Sequence, residues 1–184
     1  GDEEFLNLLI AKYEKEKDCG SGKTVAKLYM ANKDYTKAVE WYEKVYAEAC
    51  SPEESADQGE VFLQIAKIKY SEGNYSEARM YAQKAASADE SVASEAYTFI
   101  GDMYAGSFKT CGEAADVKAS PIKRRGVFMV AYDMYSRAGN SAKMAKMKEQ
   151  FPTKGQVFSD TSINEGDTLR VGCWIQTNTT VRTQ

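Results

Sequence analysis

Two stretches of this sequence decide the fold: residues 25–45, VAKLYMANKDYTKAVEWYEKV, and residues 65–85, IAKIKYSEGNYSEARMYAQKA. They align without a gap at an offset of 40, with Ala26/Ala66, Lys27/Lys67, Tyr35/Tyr75, Ala38/Ala78 and Lys44/Lys84 in register. In each, two segments of helical apolar spacing flank a polar break, Asn32-Lys33-Asp34 in one and Gly73-Asn74 in the other. Such residues turn a chain, so each unit reads as helix, turn, helix. A helix hairpin cannot bury its apolar stripe alone, so a repeated hairpin implies a stack of neighbours.

This frame also reads the stretch just before it, Gly20-Ser21-Gly22-Lys23-Thr24, which looks like the tail of a phosphate-binding loop. That loop needs a glycine five residues before Gly22 and an apolar strand leading into it. Lys17 stands at the glycine position, the preceding Tyr13–Asp18 is charged, and no later apolar run ends in an Asp that could hold Mg²⁺. Nucleotide binding is therefore not expected. Ser21 reads as an N-cap, Gly20 and Ser21 as the end of a connection, and Gly22 as a small residue early in the first helix.

Composition narrows the chemistry. The 184 residues suffice for one domain or a short repeat array, and a net charge of −3 is too small to imply a nucleic-acid partner by itself. Lys123-Arg124-Arg125 is too short a basic run to change that. There is no histidine, which removes the commonest base and the commonest metal ligand. The four cysteines, Cys19, Cys50, Cys111 and Cys173, form no C-x-x-C pair, so no metal site is expected. No apolar run approaches the roughly 20 residues of a membrane span. Gly1 before Asp2-Glu3-Glu4 reads as a trimmed end, so the lack of a targeting segment carries little weight.

A third first-helix follows the two repeats. Tyr97-x-x-Ile100-Gly101-x-x-Tyr104 fits the pattern W-x₂-L-G-x₂-Y with conservative changes. With Val25-Ala26-x-x-Tyr29 and Ala38-x₃-Tyr42-x₂-Val45 in the first unit, and Phe62-x-x-Ile65-Ala66 and Ala78-x₃-Ala82-x₂-Ala85 in the second, the chain resembles the tetratricopeptide repeat family. Gly22, Lys69, Cys50 and Glu90 depart from the family's preferred residues, and the spacing of 40 exceeds the usual ~34 through an insertion near 51–58. The resemblance implies a mainly α, right-handed solenoid of about three hairpins. Small residues (Ala26, Ala38, Ala66, Ala78, Gly101) would let helices approach, while Tyr29, Tyr35, Tyr75 and Tyr104 fill the space between hairpins.

The boundaries follow. Residues 2–18 form a preceding or capping helix, with Phe5, Leu6, Leu9 and Tyr13 on a stripe that Leu8 and Ile10 widen. A stripe that wide suggests further repeats upstream, because terminal caps present a polar outer face. The repeats run over 19–152. Ser51-Pro52-Glu53-Glu54 reads as the capped start of the second unit's first helix, and Ser120-Pro121 as the start of a helix reaching about Arg137. Gly139-Asn140 closes that helix, Ser141–Gln150 forms a short last one, and 106–119 is an insertion that delays the third unit's second helix to about 127–138. After Pro152 the period changes to two. Leu169, Val171, Cys173 and Ile175 alternate with Thr168, Arg170, Gly172 and Trp174, Gln176–Thr179 reads as a turn and Thr180–Thr183 as a return strand. The C-terminal extension, 153–184, is thus a β-hairpin. It packs on the last helices through Trp174 or the Leu169/Val171/Ile175 face, either as a lid or with an edge that accepts a partner strand.

With this ending, the chain resembles the C-terminal part of longer tetratricopeptide proteins of Bacteroidetes that belong to the cell envelope, a resemblance that brings no assigned activity. An envelope or periplasmic location would favour disulfides over free thiols. Two antiparallel helices separate Cys19 from Cys50, which places both at one end of the first hairpin. A folded-back tail could join Cys111 to Cys173. The sequence leaves free thiols open.

The resemblance implies a protein-interaction scaffold without a cofactor, taking a peptide or protein in a concave groove lined by the first helices. The groove positions are Lys23, Lys27 and Met30; Leu63, Gln64, Lys67 and Tyr70; and Thr98, Phe99 and Asp102. Repeats that clamp a peptide carboxylate carry basic residues on three successive units. Glu95, Phe99 and Asp102 in the third unit argue against that mode. The alternative is a structural or assembly domain of a larger envelope protein with no peptide ligand of its own. An enzyme is not expected. No nucleophile–base pair stands out, and Glu95 and Asp102, seven residues apart, are an ordinary solvated helix face.

Overall fold

The computed structural model describes residues 2–184; Gly1, and with it the trimmed-end reading, lies outside the described residues. α1 (Asp2–Glu16) precedes three helix hairpins: α2 (Cys19–Ala31) with α3 (Tyr35–Glu48), α4 (Gln58–Ser71) with α5 (Tyr75–Ala88), and α6 (Glu90–Gly106) with α8 (Gly126–Arg137). A π-helical turn at Phe108–Gly112 and the short α7 (Pro121–Arg124) interrupt the third hairpin. α9 (Ser141–Lys148), α10 (Lys154–Phe158), β1 (Thr168–Val171) and β2 (Thr177–Thr180) complete the chain. The hairpin helices pack chiefly on their own partner and on the adjoining hairpin, as stacked hairpins must. The fold is therefore mainly α, a tetratricopeptide-like run of hairpins ending in a two-stranded sheet.

The alanines of the repeat frame sit where two helices meet. Ala26, Ala38, Ala66 and Ala78 are all fully buried. A β-carbon on Gly101 would stand 2.6 Å from the Tyr135 ring, so glycine there permits the α6–α8 approach. The tyrosines divide differently from expectation. Tyr104 is buried, Tyr29 and Tyr35 are half-buried, and Tyr75 is exposed. Rings that bridge the hairpins come instead from Tyr46, Phe62 and Tyr81, whose centroids step at 6.0 Å from α3 through α4 to α5.

Several element ends are corrected. α2 begins at Cys19, not after Ser21, because Asp18 takes the cap: its carboxylate accepts from the Ser21 amide at 2.8 Å. Ser51 and Glu54 do exchange capping hydrogen bonds (2.9 and 3.3 Å), yet residues 52–57 remain turns and α4 starts only at Gln58. Ser120 caps α7, accepting from the Lys123 amide at 3.3 Å, but the helix breaks at Arg125 before α8 begins. Thr153 and Gln156 form a capping box on α10, a helix the sequence reading lacked.

The tail is corrected in register. Cys173 and Gln176 have φ of 58° and 45°, so the chain leaves the extended conformation after Val171 and turns over 172–176. β2 therefore starts three residues earlier than expected, pairing antiparallel from Thr168↔Thr180 to Val171↔Thr177. Leu169, Val171, Ile175 and Val181 are buried, and both strands pack on α8. Ile122, Met129, Phe151, Val157, Leu169 and Val181 form a separate small core beneath the sheet. Gly126 allows that contact, since a β-carbon there would stand 2.9 Å from Val171 Cγ2.

Candidate interaction surface

The surface of interest is carried by the first helices α2, α4 and α6, and its charges are largely committed within the chain. Lys23 on α2 extends to the 51–57 connection. Its ammonium donates to Asp57 Oδ1 at 2.7 Å and to the Glu54 carbonyl at 2.6 Å, and it lies over the Tyr46 ring. Tyr46 donates to the same carboxylate oxygen at 2.9 Å. Burial works to raise the Asp57 carboxyl, but hydrogen bonds from Lys23 and Tyr46 outweigh it and hold its pKa below the ordinary value. Burial and the Asp57 carboxylate push the Tyr46 phenol far up.

Further along, Lys67 on α4 pairs with Glu95 on α6 at 2.7 Å. Asp102 on α6 accepts from Tyr135 at 2.7 Å and pairs with Lys143 on α9. Burial, then the Asp102 carboxylate, raises the Tyr135 phenol. Leu63 is a correction: at 3% exposure it belongs to the core rather than to a binding surface. Met30 is half-buried against that core. Lys27 and Gln64 are exposed, and Thr98 and Phe99 are partly so.

Tyr70 is the aromatic that remains available, 40% exposed at the end of α4. It meets the Phe99 ring edge-on at 5.8 Å and the Tyr75 ring at 5.4 Å. Trp174, from the turn between β1 and β2, continues this row, packing 5.4 Å from both Tyr75 and Tyr104. Its indole donates to Ser107 Oγ at 3.0 Å, and Arg79 on α5 lies over the ring while donating to the Ile175 carbonyl. The tail thus reaches past the third hairpin to the second. Sequence reasoning singled out Tyr70, Phe99 and Trp174 but did not place them in one row. Arg79 and Lys143 were missed, since their partners lie 96 and 41 residues away and no local pattern marks them.

The structure links Cys19 to Cys50 and Cys111 to Cys173, with Cα–Cα distances of 4.9 and 5.6 Å. The first joins the start of α2 to the end of α3. The second joins the insertion to the β1–β2 turn. Among the described residues there is no cluster of three or more metal-ligating side chains, and no helix is long and apolar enough to cross a membrane.

A search of curated proteins finds no match to the chain. The family model of the tetratricopeptide repeat matches residues 24–48, most of the α2–α3 hairpin, and residues 59–92, the α4–α5 hairpin with the start of α6. In sequence, and in their helix-turn-helix structure, these two stretches are similar to tetratricopeptide repeats.

Proposed function

We propose that the chain is a non-catalytic interaction scaffold that holds an extended peptide or a partner protein across α2, α4 and α6. Tetratricopeptide repeats commonly serve protein–protein interaction. The observation that carries the reading is the exposed Tyr70 beside Phe99, on first helices that also carry Lys27, Gln64 and Thr98 without an ion pair or side-chain hydrogen bond among the described residues. A rigid aromatic anchor amid adaptable polar groups is the usual composition of a binding hot spot. Lys23 and Asp102 drop out of the proposed contact set because their charges are already paired. The ligand is then held by apolar anchoring more than by charge, and neither nucleotide nor nucleic acid is required. Two disulfides support a periplasmic or envelope location.

The test is crosslinking of the protein in its native host, with partner recovery compared among variants. Tyr70→Ala/Phe99→Ala is expected to abolish recovery. Met80→Ala, at an exposed apolar position on α5, should leave it unchanged. Equal recovery from both would remove the surface. The second reading, a structural domain without its own ligand, is favoured by Lys23–Asp57, Lys67–Glu95 and Lys143–Asp102, which engage most of the charged groups of this face, Lys27 excepted.

A further inference from the structure

The two disulfides stand in different surroundings. Cys19 is buried in a small core with Tyr13 and Val45, and Cys50 packs against that core. In the other link Cys111 is buried, but Cys173 is exposed on the β1–β2 turn. Exposed links exchange with thiols more readily than buried ones. Beside the Cys111–Cys173 link lies a cleft of about 200 Å³, lined by both cysteines, Val127, Lys123, Arg170 and Asp116. It is smaller than the pocket of a drug-sized ligand, so it suits a small molecule rather than a length of peptide.

Charge and hydrogen bonding favour one direction of attack. Among the described residues, neither Lys123, Arg170 nor Asp116 is in an ion pair. Two cations against one carboxylate leave the cleft positive, which draws in a thiolate and a further carboxylate on the same molecule. At the buried end of the link, the Thr110 hydroxyl stands 3.7 Å from Cys111 Sγ. It can donate there in alternation with the Ser107 carbonyl, 3.1 Å away. A donor at that sulfur stabilises negative charge on it and so makes it the better leaving group. We infer that the Cys111–Cys173 link is a thiol-exchange site that takes a small carboxylate-bearing thiol onto Cys173. The thiol's anion attacks Cys173 Sγ and forms a new S–S bond there. The bond to Cys111 breaks, and its electron pair passes to Cys111 Sγ. Cys111 then takes up the proton that the incoming thiol released, so this step needs no other reductant. A second thiol molecule completes the reduction by displacing the first from Cys173 as a small disulfide. The β1–β2 turn then keeps only its noncovalent contacts, among them those of Trp174 and Arg79.

The inference goes beyond peptide binding, which uses another surface, and is tested on the purified, folded chain with mercaptoacetate as the thiol. Samples are quenched with acid over time, alkylated with a maleimide and mapped by mass. Cys111 and Cys173 are expected to open while Cys19–Cys50 stays closed and helix content is unchanged. Cys19–Cys50 opening first, or both links opening only as helix is lost, would overturn the inference. Single variants identify the sulfur attacked. With the disulfide form of mercaptoacetate, Cys173 in Cys111→Ser should be modified at least about tenfold faster than Cys111 in Cys173→Ser. Equal or reversed rates would overturn it. Lys123→Gln/Arg170→Gln should slow wild-type exchange with mercaptoacetate about tenfold. Exchange with mercaptoethanol, whose anion lacks the carboxylate, should slow much less. Equal slowing of both thiols, or of neither, would overturn the inference as well.

Discussion

At the scale of single residues, the two glycines of Gly20-Ser21-Gly22 do different work. Gly22 faces inward: a β-carbon there would overlap Val45 Cγ2 and stand 2.8 Å from the Tyr13 ring. Gly20 faces out, with its nearest neighbour, Asp18 Oδ2, at 3.8 Å. Gly22→Ala should therefore destabilise by about 1–3 kcal/mol through overpacking, whereas Gly20→Ala should be neutral or stabilising by up to ~1 kcal/mol from helix propensity. Urea melts of the pair separate the two effects, and equal destabilisation would contradict this packing. Asp18 offers a second case. Hydrogen bonds from Ser21, through its side chain and backbone, hold its carboxyl down to about 2 from 3.8. A folded pKa below the unfolded value means the stabilisation is present above about 3.8 and is lost as pH falls toward about 2. Asp18→Ala should cost about 1 kcal/mol at neutral pH and flatten that acid limb. An acid limb identical to wild type would remove the cap from the account.

At the scale of elements, the β1–β2 turn is more than a connection. It places Trp174 on α5 and α6, buries Ile175 completely and carries the link to Cys111. An isolated two-stranded hairpin is marginal in water, so this one depends on these anchors. Cys111→Ser/Cys173→Ser should cost about 2–4 kcal/mol, the usual range for removing such a link. In a Trp41→Phe background, the Trp174 emission should shift to the red as the tip loosens. Unchanged emission and stability would mean that Trp174, Arg79 and the α8 contact suffice alone. The strand itself shows what was legible. The alternation of Leu169, Val171 and Ile175 announces a buried face, and all three are buried. Where the strand ends was not legible, because the positive φ falls on Cys173, a residue that does not mark a turn in sequence.

At the scale of the whole molecule, stability is a sum over hairpins and the contacts between them. Phenols at those contacts make the sum sensitive to base. Burial, then Glu43, pushes Tyr81 up to about 12 from 10.0, and burial also raises Tyr42, Tyr46 and Tyr135. A phenol whose folded pKa is raised stabilises the fold below about 10, and that contribution is lost as pH rises toward about 12. Base unfolding should therefore be cooperative in that window, with tyrosinate absorbance and helix content changing together. Gradual ionisation before helix loss would show that these phenols are accessible.

The sequence by itself determined the repeat. A period of 40, small residues at the helix crossings and the change to period two after Pro152 are local patterns, and a helix or strand face is written in a window of a few residues. Only the tertiary structure decided how the charged and aromatic groups are used. Lys23 goes to Asp57, Asp102 to Lys143, Arg79 to the turn of the tail, and Phe5 and Leu8 are left open. The reason is distance along the chain. These partners lie 34 to 96 residues apart, and a long polar side chain reads the same in sequence whether it meets solvent, a neighbouring hairpin or a second molecule.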